Sequence, residues 1–518
     1  MLIHSPYASL QPYPTVTLPE YLENSAHRFQ DKPALINVDG TTYSFTQIWE
    51  AGRRLGRFLQ DQGIQKGDRV AILSANIPEY VVAFQGIVHA GAVVTTLNPL
   101  YKQRELLHQL EDCDATAIFT MRFLLTPVQG LQEHLPNLKN VWALEDIWEM
   151  VKESPPEPRP VEIDPATDLV ALPYSSGTTG LPKGVMISHS NLIANIRQLL
   201  TTGLTNTYSV YLDFLPFFHI YGLTALMSAG FAAGATQVLM PRFDAQLCLD
   251  LVQRHKVTFL AVVPPALLAL ANFPDRDKFD TSSMEFIVSA AAPLPPEVAQ
   301  RAQKLYGCKV LQGYGMTETS AASNVNPVNR VKPTSVGPPL ADTVEKVVSL
   351  EDDHEMGPGE TGEILVSGPQ IMRGYWNRPE ETADTLLQDG WLRTGDIGSF
   401  DEEGYVYVVD RKKELIKYKG YQVPPAELEA LLMEHPAVAD VAVIPKPHTE
   451  GGEIPKAFII LKPDEQATAD DIMEFVAERV APYKKVREVE FVDAIPKSLS
   501  GKILRRELID QERAKGGD

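Results

Sequence analysis

YSSGTTGLPKGV, running from Tyr174 to Val185, sets three glycines, four Ser or Thr side chains and one lysine within twelve residues. Gly177, Gly180 and Gly184 let backbone N–H groups come close to an anion, Ser175, Ser176, Thr178 and Thr179 add hydroxyl donors, and Lys183 adds a point charge. The stretch reads as a polyphosphate-binding loop. A surface turn is the plainer reading, because Ser, Thr and Gly are ordinary turn formers and SHSN at 188–191 can cap a helix. A Walker loop is excluded, since Leu181-Pro182 separates Gly180 from Lys183 and no Ser or Thr follows the lysine.

Moving outward, RVAIL from residue 69, AVVTTLN and ATAIFT read as strands, while Ile77-Pro78 opens an apolar helix and KQRELLHQLEDC gives another. That alternation predicts parallel α/β structure. VKESPPEPRP at 151–160 reads as a boundary between this lobe and a second α/β lobe, which holds VTFLAVV at 257–263, a helix over Glu297–Tyr306 and KVLQGYGMTE at 309–318. Beyond Gly357, EILVSG, GWLRTGDIGSF and GYVYVVDR indicate a β-rich lobe. Past Lys413, two helical and three strand-like stretches predict a separate α+β unit. The expected fold class is therefore α/β, with a large N-terminal domain (1–412) of two α/β lobes plus a β-rich lobe and a small, mobile α+β domain (413–518).

GYGMTE, Gly313 to Glu318, offers a ring to stack a base, a hydroxyl for a phosphate and an acid for a hard cation; the alternative is a strand-end turn with Glu318 in water. Asp396 in TGD and Arg411 in DRKKE could face each other across a hairpin and hold ribose hydroxyls, or form an ordinary surface salt bridge. Lys502 in PKSLSGKILRR reads by itself as a solvated charge, and His219 in LPFFHIYG as a packed core histidine. The small residues of VSAAAPLPPE suit either a pocket wall or a tight strand-to-helix crossing. IKYKGYQV carries two lysines and a glycine on a turn, the usual look of a solvated face.

Taken in order, YSSGTTGLPKGV, LPFFHIYG, QGYGMTE, TGD, DRKKELIKYKGYQVPPAELE and PKSLSGKILRR resemble the motifs of the adenylate-forming superfamily. They are most similar to its subgroup of 4-coumarate–CoA ligases, acyl-CoA synthetases and luciferases, over about residues 15–510. The resemblance implies an AMP-forming acid–CoA ligase using ATP, CoA and Mg2+. In it, Gln312, Gly313, Tyr314 and Thr317 join the glycine loop around the nucleotide, Glu318 holds magnesium, and Asp396 and Arg411 take the ribose. Lys502 bridges the substrate carboxylate and the α-phosphate, and His219 gates the path of the acid. Tyr221, Gly222 and Ala291 shape the acyl pocket, with Ala290 standing where the family commonly has glycine. Lys413 lies at the hinge, Lys417 approaches the adenylate after rotation, and Lys419 and Gly420 accompany CoA, with Arg242 a further candidate for a CoA phosphate. Free-standing carrier-protein loading, luciferase-like oxidation and a non-catalytic relative are the alternatives; Lys502 stands sixteen residues from the end, with no carrier domain after it.

Composition agrees with a small-molecule enzyme. The 518 residues carry 47 basic and 67 acidic side chains, a net charge of −20, which argues against nucleic-acid binding. Cys113, Cys248 and Cys308 stand far apart without metal-ligand spacing, suiting a reducing compartment. MLIHSPYASLQPYP lacks a basic leader and an apolar segment, and KGGD at the other end is not a peroxisomal address, so a cytoplasmic monomer or homodimer is expected. Ile220 to Pro241 is long and uncharged, yet its glycines and polar residues predict a buried helix and a strand, with no membrane segment.

Overall fold

Arg69–Leu73 and Val93–Leu97 are buried along both faces, the signature of strands covered by helices on each side. In the computed structural model, which describes residues 1–175, 182–419, 421–448, 452–463, 465–498 and 501–515, they form the centre of a six-stranded sheet. Its order is Ile187–Ser188, Leu169–Ala171, Val93–Leu97, Arg69–Leu73, Ala115–Thr120, Asn140–Ala143. A second sheet has eight strands in the order Asn324–Val325, Lys309–Tyr314, Phe286–Ser289, Phe259–Val262, Val210–Asp213, Thr236–Leu239, Pro33–Ile36, Thr42–Ser44. Its six inner strands run parallel, so their C-terminal ends open on one side, where ligands of α/β folds bind.

The lobes are not divided at 151–160 as the proline-rich stretch suggested. Leu169–Ala171 and Ile187–Ser188, after it, return to the first sheet, while Pro33–Ile36 and Thr42–Ser44, before it, belong to the second. The exposed prolines mark a crossing between elements of one body, because each sheet completes its buried edge with a strand from the far side.

Ile220–Pro241 contains the expected helix and strand, but the helix opens as π-helical Tyr221–Ser228 before Ala229–Ala233 and strand Thr236–Leu239. Ser228 Oγ donates to the Leu223 carbonyl at 2.7 Å, five residues back, within the widened turn. No described helix is long and apolar enough to cross a membrane. All three cysteines are buried and free.

The β-rich lobe is a five-stranded antiparallel sheet, Ile3–His4, Val344–Val348, Gly362–Ser367, Leu392–Phe400 and Val406–Arg411. A further unit begins at Ile416, a five-stranded sheet of Tyr421–Val423, Ile416–Tyr418, Gly452–Leu461, Val438–His448 and Glu488–Phe491, with its own core including Ile416, Val423, Leu428, Val443, Ile459 and Ile472. Helices Pro425–Met433, Ala469–Ala477 and Arg505–Lys515 flank that last sheet.

One buried acid in the β-rich lobe sets a pH dependence. Glu345 is fully buried; its Oε2 accepts the Asn324 side-chain amide at 3.1 Å, and its Oε1 has no partner among the described residues. Burial pushes its carboxyl up to about 8, so the folded protein holds a proton that the unfolded chain releases above its ordinary range. The stabilisation is complete in acid and is lost as pH rises toward 8. Glu345→Gln is therefore expected to flatten the fall of Tm between pH 6 and 9, by an amount corresponding to a few kcal/mol. Buried Asp213, also raised, leaves a residual slope in the variant. Parallel melting curves in matched buffers check this; identical slopes would refute it.

Candidate active site

Strand Lys309–Tyr314 carries Gln312, Gly313 and Tyr314 to the open side of the second sheet. Facing it, Asp396 and Arg411 are register partners on antiparallel strands Leu392–Phe400 and Val406–Arg411. Arg411 Nε lies 2.8 Å from Asp396 Oδ1, and the Tyr314 hydroxyl donates to Asp396 Oδ2 at 2.5 Å. Asp396 is buried, so this is no surface salt bridge. Burial raises the carboxyl while Arg411 works against it; Asp396 in turn holds the guanidinium charged. Gln312 lines the same cleft but spends its side chain on the backbone, accepting from Leu294 N–H at 3.1 Å and donating to Pro333 O at 2.6 Å.

Lys502 enters this cleft from the C-terminal unit, sharing it with Tyr314, Asp396 and Arg411. Its ammonium is 3.9 Å from Glu414, which also pairs with Arg505. Burial and the neighbouring Arg411 depress its pKa, against the pull of Glu414 and Asp396. Gly501 makes the approach possible: its φ is +76°, and an added Cβ would sit 3.0 Å from Val263 and 3.1 Å from Pro265 on the large domain.

Ser175 pairs with Lys183 across the base of the glycine-loop hairpin, Tyr174–Ser175 against Lys183–Gly184. Ser176, Gly177, Thr178 and Thr179 lie outside the described residues. The hairpin is anchored where Tyr174 donates to Asp112 at 2.7 Å, and Arg378 grips the same carboxylate at 2.8 Å. Ser188 caps helix His189–Leu200, so the turn-and-cap reading of SHSN holds beside the loop. The Lys183 ammonium is 5.0 Å from the Tyr375 ring centroid and 3.8 Å from Glu381. Tyr375 donates to Glu318 Oε1 at 2.8 Å, and Thr317 is buried beside it in the short turn Thr317–Thr319. Mg2+ binds through one or two carboxylates plus substrate phosphates. A single buried Glu318 fits that habit, whereas the described residues contain no cluster of three or more metal-binding side chains.

A second cavity adjoins the cleft, and the two share Ala291, Gly313, Tyr314 and Gly315. His219, Tyr221 and Ala291 line it with Leu204, Leu226 and Val325, and no Asp, Glu, Lys or Arg stands among its described lining. Ala291 has φ +71°, an uncommon conformation for a residue with a side chain. Gly222 is not in the wall. An added Cβ there would meet the Pro216 carbonyl oxygen at 2.2 Å, so this glycine lets the helix pack on the preceding loop rather than opening space.

His219 Nδ1 accepts the Tyr221 N–H at 3.3 Å, which assigns the ring proton to Nε2. Burial lowers its pKa to about 4, leaving a neutral donor near pH 7. Sequence reasoning missed what positions it. Buried Asn76, just past strand Arg69–Leu73, donates to Asp213 O at 3.0 Å and Leu215 O at 2.9 Å and accepts from Phe217 N–H at 2.8 Å. Thr96 donates to Phe218 O at 2.6 Å. The first sheet thus grips the loop leading to His219 on the second.

Lys417 and Lys419 are exposed on the hairpin Ile416–Tyr418/Tyr421–Val423, away from the residues lining the cleft. Gly420 lies outside the described residues. Lys413 is exposed in the turn between Arg411 and Ile416, and Arg242 is exposed on the large domain.

A cleft joined to an apolar cavity, with a lysine entering it from the C-terminal unit, suits an adenylate-forming enzyme. The chain belongs to the AMP-binding enzyme family: the family model matches residues 22–376, and that of the AMP-binding enzyme C-terminal domain matches 427–502. It is 37% identical to a long-chain-fatty-acid–CoA ligase of Bacillus subtilis over 536 residues, covering 97% of this chain and 95% of that one. It is 39% identical to a 4-coumarate–CoA ligase of Pinus taeda over 515 residues, covering 96% and 95%. The solved o-succinylbenzoate CoA synthetase of Bacillus subtilis, in complex with its acyl-adenylate intermediate, superposes with a TM-score of 0.84 at 31% identity, covering 95% of this chain and 98% of that one.

Proposed function

We propose that this AMP-forming acid–CoA ligase acts on a hydrophobic carboxylic acid, fatty or aryl, and passes it through acyl-AMP to the CoA thiol. The observation that carries the substrate class is the charge-free cavity opening at Ala291 and Gly313–Gly315 into the cleft of Lys502, Asp396 and Arg411. An acid with a neutral body fits it, while a second carboxylate would be stranded without a partner.

In the first half-reaction Asp396 and Arg411 hold the ribose, Tyr314 flanks the base, and the glycine loop with Lys183 holds the phosphates. The His219 Nε2–H donor orients the acid's carboxylate for in-line attack on the α-phosphorus, and pyrophosphate leaves. Lys502 stabilises the charge that gathers on the α-phosphate and the attacking oxygen. Magnesium, held by Glu318 together with phosphate oxygens, would neutralise the phosphate charge when bound.

In the second half-reaction the C-terminal domain turns about Lys413, withdraws Lys502 and brings Lys417 to the adenylate, with Lys419 and Gly420 accompanying CoA. The CoA sulfur then attacks the acyl carbon and AMP leaves. Buried free thiols suit catalysis in the cytoplasm.

Mass spectrometry of products from MgATP, CoA and a panel of cinnamic and C4–C18 acids tests the reading. Acyl-CoA and AMP in equal amounts are expected; AMP without thioester would refute ligation to CoA. Because Lys417 is exposed outside the cleft, Lys417→Ala is expected to keep the rate of acyl-AMP formation and slow thioester formation about tenfold or more. Single-turnover measurements starting from ATP, and separately from preformed acyl-AMP, distinguish the two effects. Equal loss in both steps would refute the assignment.

A further inference from the structure

We infer that Tyr211, seated on Phe259, is the gauge that limits the length of the acid, and that the enzyme prefers medium-length acyl chains or aryl acids of similar reach. The inference rests on the apolar cavity being the acyl site.

Strand register gives the cavity a direction. Tyr211 stands level with Phe259, and Phe259 with Phe286. Val288 lies two residues nearer the strand ends, and Ala290 and Ala291 lie past them, at the junction with the nucleotide cleft. The acid therefore enters with its carboxylate at Ala291 and its tail running down the sheet toward Tyr211. Four residues separate Ala290 from the level of Phe286, about 13 Å at the rise of a strand, which accommodates an extended chain of roughly ten carbons.

Tyr211 is held from several sides at that depth. It is 1% exposed, its ring stacks on Phe259 with centroids 4.5 Å apart, and its hydroxyl is hydrogen-bonded to Thr205 Oγ1. The ring edge rests against the helix at Gly230, where an added Cβ would sit 3.2 Å from Tyr211 Cε2. Swinging the side chain away about its Cα–Cβ bond would break the hydroxyl contact and the stack together. Ala225 and Ala229 leave the facing helix wall low, so the aromatic pair is the bulk at this level.

The test is the kcat/KM profile over saturated C4–C18 acids at fixed MgATP and CoA. The native enzyme is expected to peak near C8–C12 and to fall at least tenfold by C16, given the depth of about 13 Å. Tyr211→Ala should move the peak at least two carbons longer, and Tyr211→Trp should move it shorter, with KM for MgATP unchanged in both. Phe259→Ala opens the same level and serves if Tyr211→Ala does not fold. An unshifted ranking in the folded variants, or a native optimum at C16–C18, overturns the gauge alone. Turnover of none of the hydrophobic acids overturns the substrate class and the gauge with it.

Discussion

Lys502→Ala is expected to form acyl-AMP on the order of 10²–10³ times more slowly than the native enzyme while still binding MgATP and converting preformed acyl-AMP to thioester. Lys502 comes from the C-terminal unit, which builds one side of the cleft, and stands there with Asp396, Arg411 and Tyr314 of the large domain. Partial burial, with Arg411 alongside, lowers its pKa, and a charge partly withdrawn from water makes a stronger electrostatic contact. Nucleotide affinity should survive, because the ribose, the base and the outer phosphates are held by other residues and the Lys502 contact to the α-phosphate matters most in the transition state. Pyrophosphate exchange reports the first half-reaction and a thiol-release assay the second. Normal exchange in Lys502→Ala would remove this residue from the mechanism; equal loss in both assays would point to damaged folding instead.

Asp396→Ala should weaken MgATP binding on the order of 10²-fold, since it removes both a ribose acceptor and the group that aligns Arg411 and Tyr314. The guanidinium would be left beside a cavity with its charge unmatched, so a lower Tm should accompany the lost affinity. Asp396→Asn retains one acceptor and should fall between. Calorimetric titration with a non-hydrolysable ATP analogue measures the effect. Native affinity in Asp396→Ala would show that the ribose sits elsewhere.

These two sites were legible because their chemistry is written in short, contiguous runs. The dense glycines of Tyr174–Val185 and the strand-end GYGMTE stand out by their own composition, whereas the lysine after Gly501 reads alone as a solvated charge and stands out only through the family resemblance. Asp396 and Arg411 lie fifteen residues apart, within reach of a single hairpin. What stayed hidden depends on distant pairing. Nothing around Asn76 reveals that its amide will grasp a loop beyond residue 212, and Tyr375 gives no sign of its bond to Glu318. Gly222 shows a related limit: the sequence HIYG marks a place where a side chain is unwelcome, but cannot say whether the space is for substrate or for backbone. Strands as short as Leu169–Ala171 and Ile187–Ser188 carry too little periodicity to show which sheet they join.

That exchange of strands between the two sheets has a consequence during synthesis. The second sheet receives Pro33–Ile36 from the beginning of the chain, yet this strand's parallel neighbour, Thr236–Leu239, leaves the ribosome some two hundred residues later. Until then the early strand has an open edge, and the first sheet also waits for Ile187–Ser188. At residue 160 the first sheet still lacks Leu169–Ala171 and Ile187–Ser188 and the second lacks every strand after Thr42–Ser44, so nascent chains arrested there should engage chaperones rather than form a stable half.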